Sequence, residues 1–513
     1  MTVCQFTTFF SSGIKRFVSG LFLSRLTGLG RDLIMAYAFG DHPTVASFMM
    51  VFRFSNLLRR FFGEGPLQSV FVPHFQGLRS RDPQQAYAFF RKLTFFLFVA
   101  VTVVVVCIEG SLTLFLTLPS FAAGTREVMQ MMRDLIPCLI LACLYGLNLS
   151  LLQCHNAFFL PNVAPAICNL VWMSGACYLK RQGPEVGVLF LVHWVLAGFF
   201  FQWAMTVPFV WRIAGRKLKQ WVQWNIGLEV KKIVCSFRWV ALGVGAAQIN
   251  GCLDTIFARC ADLSGPVYLW YASRFHQLAL AMFGMATVHT LVPLFSRKIK
   301  EGRMEEGKEM FAFGMRLILT LMLVCTIGIL ALGDLLIDVV YGRGRFSHHA
   351  VTQTVRCLWA YSLGLIPSSL IMLQSAVFYA RERARTPANV AGISVGLNIF
   401  LNGLCVFVLK LSPASVAWAT SASLWVHFFI LHFLLRHRNW KWHYPCKDLL
   451  RLFIGCLLAW LLTSVSSLVI VDVGKLFAFV CRLAIFLLTL FTYAYLRTSR
   501  DLHAAFKVFF ARG

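Results

Sequence analysis

Charge is scarce in this chain, and acid is scarcer than base. Of 513 residues only 13% are Asp, Glu, Lys or Arg, and 21 acidic residues stand against 48 basic ones. A soluble protein of this length would carry about twice that charged fraction, so a water-facing globular domain is excluded for most of the chain. Paired carboxylates or a His/Asp base near a membrane edge, which a membrane-embedded glycosyltransferase or phosphatase needs, are not found. The sixteen cysteines include no C-x-x-C pair and no metal-ligand spacing, so they read as reduced core residues and no metal site is expected. His348 and His349 have no carboxylate or cysteine beside them, which argues against a metal there as well. No cleavable signal is evident, and the first helix is expected to serve as an uncleaved signal-anchor. The net charge of +27 has no soluble domain to sit on, so no nucleic-acid partner is expected.

What the chain has in excess is apolar sequence: 58% of residues are hydrophobic and 15% aromatic. Runs of the length a bilayer requires recur from end to end, and about fourteen spans can be drawn. The first six cover residues 13–39, 44–76, 86–117, 128–153, 159–180 and 187–211. The next six cover 233–261, 266–296, 310–340, 350–380, 386–409 and 413–436, and a last pair covers 449–471 and 475–497. The expected fold is an all-α polytopic membrane protein in a phospholipid bilayer. Lys and Arg concentrate in alternate connections, among them Arg79, Arg91, Arg216, Lys231, Arg297, Lys300, Arg381, Arg436 and Lys447. The remaining connections are short and poor in positive charge. The positive-inside rule then puts both termini in the cytoplasm.

Four matches in order, six spans apart, reveal an internal repeat. Phe71-Val72-Pro73 answers to Leu291-Val292-Pro293, and Ile136-Pro137 to Ile366-Pro367. Leu152-Gln153-Cys154 answers to Leu373-Gln374-Ser375, and Pro161-Asn162-Val163-Ala164 to Pro387-Ala388-Asn389-Val390-Ala391. Two six-helix lobes related by a pseudo-two-fold axis along the membrane normal are expected, an arrangement that transporters use to hold substrate between the halves. The lobes are placed at 1–211 and 233–445, joined by a basic, Trp-rich interfacial connector at 212–232. Residues 446–513, the last pair and tail, stand outside the repeat.

The first two spans carry arginines where a membrane helix should have none: Arg25 and Arg31, then Arg53, Arg59 and Arg60, with only Asp32 and Glu64 near in sequence. An arginine at the centre of a span costs roughly 2.5–3.5 kcal/mol on insertion scales and therefore faces protein or a water-filled cavity. Counting depth from the turn at 40–44, Arg31 and Arg53 fall at one level and Arg25, Arg59 and Arg60 deeper. The eighth span adds Arg274. A cationic cavity that wants an anion follows, and the guanidinium fork suits a phosphate. Bland readings stand beside this one: Arg60 with Glu64 as a structural ion pair, Arg31 with Asp32 snorkelling outward, and Arg53 at the interface. Tyr341-Gly342-Arg343-Gly344-Arg345-Phe346 reads as a loop hinge, since it lacks the strand–helix context of a phosphate cradle.

The pattern from Ser24 to Asp32 (SRxxGxxRD), then Asn56-Leu57-Leu58-Arg59-Arg60, Glu64-Gly65 and Phe71-Val72-Pro73, resembles the MurJ/MviN lipid II flippases. These belong to the multidrug/oligosaccharidyl-lipid/polysaccharide exporter superfamily. Tyr271-Ala272-Ser273-Arg274, the Tyr341–Phe346 stretch and Phe378-Tyr379-Ala380-Arg381 extend the resemblance over essentially the whole chain. The resemblance implies fourteen helices, a transporter and not an enzyme, and movement of undecaprenyl-diphosphate-linked peptidoglycan precursor across the bacterial inner membrane by alternating access. It implies a substrate-binding cationic cavity at Arg25, Arg31, Arg59 and Arg274, and gate residues Arg60 and Glu64 supported by Ser24, Arg53 and Asn56. The last helix pair would form a groove for the polyprenyl tail. No cofactor is implied; coupling to H+, Na+ or membrane potential stays open, with Asp254 the main acidic candidate for a cation site. Association with cell-wall synthesis machinery would follow from the role. Three positions depart from the family pattern, Ala46, Ser273 and Arg383 standing where many members carry acids: the first two leave the cavity more positive, and the third removes a carboxylate from the second lobe. The alternatives are a flippase for another polyprenyl-diphosphate saccharide and a drug/cation antiporter of the same superfamily.

Overall fold

The computed structural model describes residues 23–62, 66–118, 122–155, 157, 159–215, 248–381, 383, 385–437, 439–440, 442, 446–469 and 474–497. Every regular element is a helix, and no strand occurs among the described residues. The first unit, Met1–Cys252, holds α1 (residues 23–39), α2 (Pro43–Phe62), α3 (Pro66–Arg81), α4 (Pro83–Thr117), α5 (Ala123–Leu135), α6 (Cys138–Cys154), α7 (Phe159–Leu179), α8 (Gly183–Ala204) and α9 (Val207–Ala214). Helix α10 (residues 248–261) begins in this unit and ends in the second, Leu253–Gly513. The second unit continues with α11 (Gly265–Ala279), α12 (Ala286–Lys300), α13 (Met304–Tyr341), α14 (His348–Ser362), α15 (Leu365–Ala380), α16 (Arg385–Gly403), α17 (Ala414–Arg436), α18 (Cys446–Val469) and α19 (Lys475–Arg497). Of the connector expected at 212–232, residues 216–232 lie outside the described residues, as do 13–22 of the first expected span and 233–247 of the seventh.

Each expected span has a described helix, but several are not single rods. The second span is described as α2 and α3, and residues 63–65 between them lie outside the described residues. The fourth starts earlier than expected, at Ala123, and bends by 41° between α5 and α6. Pro137 causes the bend: it has no N–H to donate, and its ring crowds the carbonyl four residues earlier. The tenth span breaks similarly between α14 and α15, at Leu363-Gly364, just ahead of Pro367. Pro73 lies inside α3 and Pro293 inside α12. The sequence repeat is therefore also a repeat of element order and of breaks.

Helices long and apolar enough to cross a bilayer include α4, α13, α16, α17 and most of α18 and α19, making this a multi-pass membrane protein. Large apolar side chains are exposed along them, such as Val103, Val106 and Leu114 on α4 and Phe400 on α16. In water such surface would be a liability; in lipid it is the required exterior. Helix α2 is absent from that set because it carries Arg53, Arg59 and Arg60.

Unit one is centred on Phe71, Phe75, Phe90, Leu147 and Leu151, all fully buried. Unit two is centred on Phe295, Phe311, Ile318, Leu373 and Trp440, with Trp440 edge-on to Phe311 at 5.6 Å. The last pair packs on α13: Leu332 meets Cys456, Ala459, Phe486 and Leu490, and Lys475 Nζ lies 2.8 Å from Asp338 Oδ2. In the turn after α12, Arg297 Nε donates to Glu301 at 2.6 Å, which holds that carboxyl below the ordinary range. Between α7 and α8 the contact depends on a missing side chain: a Cβ on Gly198 would sit 3.0 Å from the Cys168 carbonyl oxygen. Small residues of this kind let membrane helices approach closely.

Gly198→Val should therefore lower stability by about 1–3 kcal/mol through overpacking. Gly392→Ala, where an added Cβ meets open space, should leave stability unchanged or raise it slightly. Thermal unfolding of the detergent-solubilised protein checks both.

Candidate anion site

In unit one the arginines of α1 and α2 are placed unequally. Arg31, on the inner turn of α1, is only 8% exposed. Its Nε and Nη2 donate to Asp32 Oδ1 at 3.1 and 2.8 Å, and its Nη1 donates to Asn169 Oδ1 at 3.1 Å. The guanidinium carbon lies 4.4 Å over the ring of Trp172. Trp172 is itself fully buried, edge-on to Phe48 at 5.3 Å and Phe52 at 4.8 Å. Asn169 also donates from Nδ2 to the Ser24 carbonyl at 3.3 Å and to Thr27 Oγ1 at 3.2 Å. Arg31 and Asp32 thus do not snorkel outward; they clamp α1 to α7.

Arg25, two turns away on α1, is exposed and has no partner among the described residues. Arg59 is half-buried, 5.9 Å from the Phe199 ring of α8, and both it and Arg31 lie within electrostatic reach of Cys168. Arg60 is exposed and donates to Gln248 Oε1 of α10 at 3.2 Å. Arg53 lies along α10 as well: a Cβ on Gly251 would come within 3.0 Å of its Nη2. Asn56 and Ser24 are half-buried. Glu64, and with it the expected Arg60–Glu64 pair, lies outside the described residues. Ala46 is fully buried on α2, so the acid that many members carry there would need a partner.

In unit two, Arg274 Cζ lies 4.3 Å over the Trp270 ring one turn back on α11. An aromatic face attracts a guanidinium and fixes its plane. Ser273 is buried and its hydroxyl turns back to the Trp270 carbonyl at 2.8 Å. Asp254, on α10, is 5% exposed. Its Oδ1 accepts from Asn402 Nδ2 at 2.9 Å and its Oδ2 from Thr420 Oγ1 at 3.1 Å, while Asn402 also donates to Asn398 Oδ1 at 2.9 Å. The groups facing this carboxylate are an amide N–H and a hydroxyl, which donate to its two oxygens. Among the described residues no group of three His, Cys, Asp or Glu is placed to hold a metal. Arg383 is exposed at the start of α16.

An apolar cavity of about 370 Å³ opens in unit two, lined by Ile327, Leu330, Trp359, Phe453, Leu457 and Trp460. Only α18 of the last pair contributes to it; α13 and α14 supply the rest. Sequence reasoning passed over Asn169, Trp172, Trp270, Asn402 and Thr420, and also Arg316 and Arg482, each half-buried in the interior of α13 and α19. The last two carried a usable signal, since each is an arginine in an apolar run. The others are ordinary residue types whose role appears only through distant contacts.

Arg31→Ala should leave the Asp32 carboxylate buried without its guanidinium and cost about 3–5 kcal/mol. Arg31→Ala/Asp32→Ala should recover part of that loss, and Arg25→Ala should stay within about 0.5 kcal/mol of the parent. Unfolding followed by tryptophan fluorescence separates the three; equal midpoints for all would contradict the clamp.

The family model described as lipid II flippase MurJ matches residues 35–492. A probable lipid II flippase MurJ of Chlamydia pneumoniae is 31% identical over 438 residues, 85% of this chain and 77% of that protein. Its counterpart in Chlamydia muridarum (strain MoPn / Nigg) is 32% identical over 427 residues, 81% of this chain and 76% of that protein. A solved structure titled lipid II flippase MurJ, inward closed conformation, superposes with a TM-score of 0.76 at 22% identity, covering 95% of this chain and 99% of that one. An inward-facing multidrug resistance MATE transporter of the MOP superfamily follows at TM-score 0.63 and 12% identity, covering 83% of this chain and 98% of that one. The match over most of the sequence and the repeated helical fold together establish that this chain belongs to the lipid II flippase MurJ family.

Proposed function

We propose that this protein is a transporter that carries lipid II, the undecaprenyl-diphosphate-linked peptidoglycan precursor, from the cytoplasmic to the periplasmic leaflet of the bacterial inner membrane. The observation that carries this reading is a set of arginines on membrane helices, Arg25, Arg59 and Arg274, the last two laid against the rings of Phe199 and Trp270. A diphosphate cannot cross hydrocarbon with its charge bare. Guanidinium groups replace its water and counterions, and their planar forks bind two oxygens at once. Arg31 belongs to the framework of this site and sets the position of Arg25 through Asn169 and the Ser24 carbonyl.

The two repeated halves rock about the substrate, exposing it to one side and then the other. Both termini lie in the cytoplasm, because the connections on that side hold most of the Lys and Arg. The polyprenyl tail stays in lipid along the last helix pair, and the apolar cavity beside α18 supports a tail-binding role for that part of unit two. Asp254, Asn398, Asn402 and Thr420 are the candidate site for a coupling H+ or Na+, and an inward-negative potential would draw the empty cationic cavity toward the cytoplasm. Delivery of the product to cell-wall synthesis enzymes at the outer face follows from this role.

Replacing Arg25, Arg59 or Arg274 singly by alanine should leave insertion intact. Each loss of a charge-assisted contact of about 1.5–3 kcal/mol should slow transport roughly 10- to 100-fold. Lysine should rescue poorly, because it keeps charge but not the fork. If all three alanine variants moved lipid II at the parent rate, the cavity would have no substrate role. A cysteine at Asp262 should react with a periplasmic thiol reagent and one at Gly302 should not; the reverse pattern would invert the leaflet assignment.

A further inference from the structure

The loop between α13 and α14 was set aside as a hinge on sequence grounds, yet the structure makes it stiff. Tyr341 and Phe346, at its two ends, are 1% and 5% exposed. Both rings pack on Tyr271 of α11, with centroids 4.4 and 5.5 Å away, and Phe275 closes the cage 5.9 Å from Tyr341. Between the anchors the chain turns tightly: the Arg343 N–H donates to the Tyr341 carbonyl at 2.6 Å, and Gly344 has φ +68°. A side chain at Gly342 would collide with the Asp338 carboxylate. A segment pinned at both ends with glycines at its strained points is a rigid display for what lies between them.

What lies between them is Arg343 and Arg345. Both are exposed, and neither guanidinium has an ion-pair or hydrogen-bond partner among the described residues. The adjacent carboxylate, Asp338, is held by Lys475 at 2.8 Å and does not serve them. The other basic connection on this side, in unit one, differs: there Lys180 Nζ rests 4.0 Å over the Tyr37 ring. Two unneutralised arginines within three residues oppose the charge rule for an outward-facing connection. Their place in the fold supplies a reason to keep them. Tyr271, which carries the loop, is three residues before Arg274 and on the same side of α11, about 4.5 Å along its axis. The loop therefore caps the face of α11 that bears the intramembrane arginine.

We propose that Arg343 and Arg345 form an outer receiving site for the diphosphate of the carried lipid, taking it over from Arg274 as it reaches the outer leaflet. This rests on the flippase reading above and adds to it a second, surface-exposed anion site within unit two. An anion leaving Arg274 toward the α11 N-terminus meets these two forks next. That position favours the carried diphosphate over bulk phospholipid as the ligand.

The test uses the full chain in nanodiscs of neutral phosphatidylcholine, with His348→Cys beside the loop as a reporter for a water-soluble maleimide and the parent as background. Inorganic pyrophosphate should slow labelling roughly fivefold more than chloride at equal ionic strength. The protection should persist in Arg274→Ala and vanish in Arg343→Gln/Arg345→Gln. Absence of protection, or its loss in Arg274→Ala alone, would overturn the proposal. So would equal protection by phosphatidylglycerol in the disc with no further effect of pyrophosphate, which would make the loop a lipid-surface contact. In transport, the double variant should insert normally and move lipid II at least about threefold more slowly. A parent rate in the double variant with Arg274→Ala inactive would overturn the receiving site and leave the flippase reading standing. Parent rates in both variants would overturn that reading itself.

Discussion

A guanidinium in a bilayer must be held by something, and most of the arrangement around the first two helices and α11 follows from that constraint. Insertion costs of roughly 2.5–3.5 kcal/mol per central arginine are tolerable only where protein, water or a bound anion takes over hydration. The molecule meets the demand in two ways. Arg31 is enclosed by Asp32, Asn169 and Trp172 and becomes a structural clamp. Arg59 and Arg274 are laid against aromatic faces, Phe199 and Trp270, which steady the side chain.

Much of the fold was legible because a membrane imposes simple lengths. Apolar runs gave the spans, and the paired Pro73/Pro293 and Pro137/Pro367 positions gave the repeat, since proline leaves its mark on helix geometry wherever it falls. The bend at Pro137 was not foreseen, because hydropathy does not register a break within an apolar run. Site chemistry was legible only as residue type. That an arginine belongs to a site could be read from its surroundings in sequence, but what it touches could not. Arg31 meets Asn169 across 138 residues, and Asp254 meets Asn402 and Thr420 across 148 and 166. The resemblance implied one role for Arg31 and Arg25, whereas their surroundings differ through the contact of Arg31 with Asn169 and Trp172 on α7.

The two units use different chemistry at depth. Unit one concentrates positive charge on α1 and α2, whereas unit two holds Arg274, Arg316 and Arg482 on three helices and a buried carboxylate, Asp254, hydrogen-bonded by Asn402 and Thr420. A transporter that binds an anion with one set of groups and a coupling cation with another has the means to link the two events, because each ligand stabilises a different charge distribution. The rigid aromatic cage around the Tyr341–Phe346 loop gives unit two a fixed outer rim above Arg274, so its surface chemistry is held in register with the intramembrane residue below.

The central claim is that the purified chain alone moves a diphosphate-linked lipid between leaflets. Unilamellar vesicles containing the protein and fluorescent lipid II, with a membrane-impermeant quencher added outside, report that movement directly. The account predicts that lipid II confined to the inner leaflet becomes quenchable in vesicles with protein and stays protected in vesicles without it. It also predicts no such movement for an undecaprenyl lipid lacking the diphosphate. Movement of both lipids at one rate, or of neither, would contradict it.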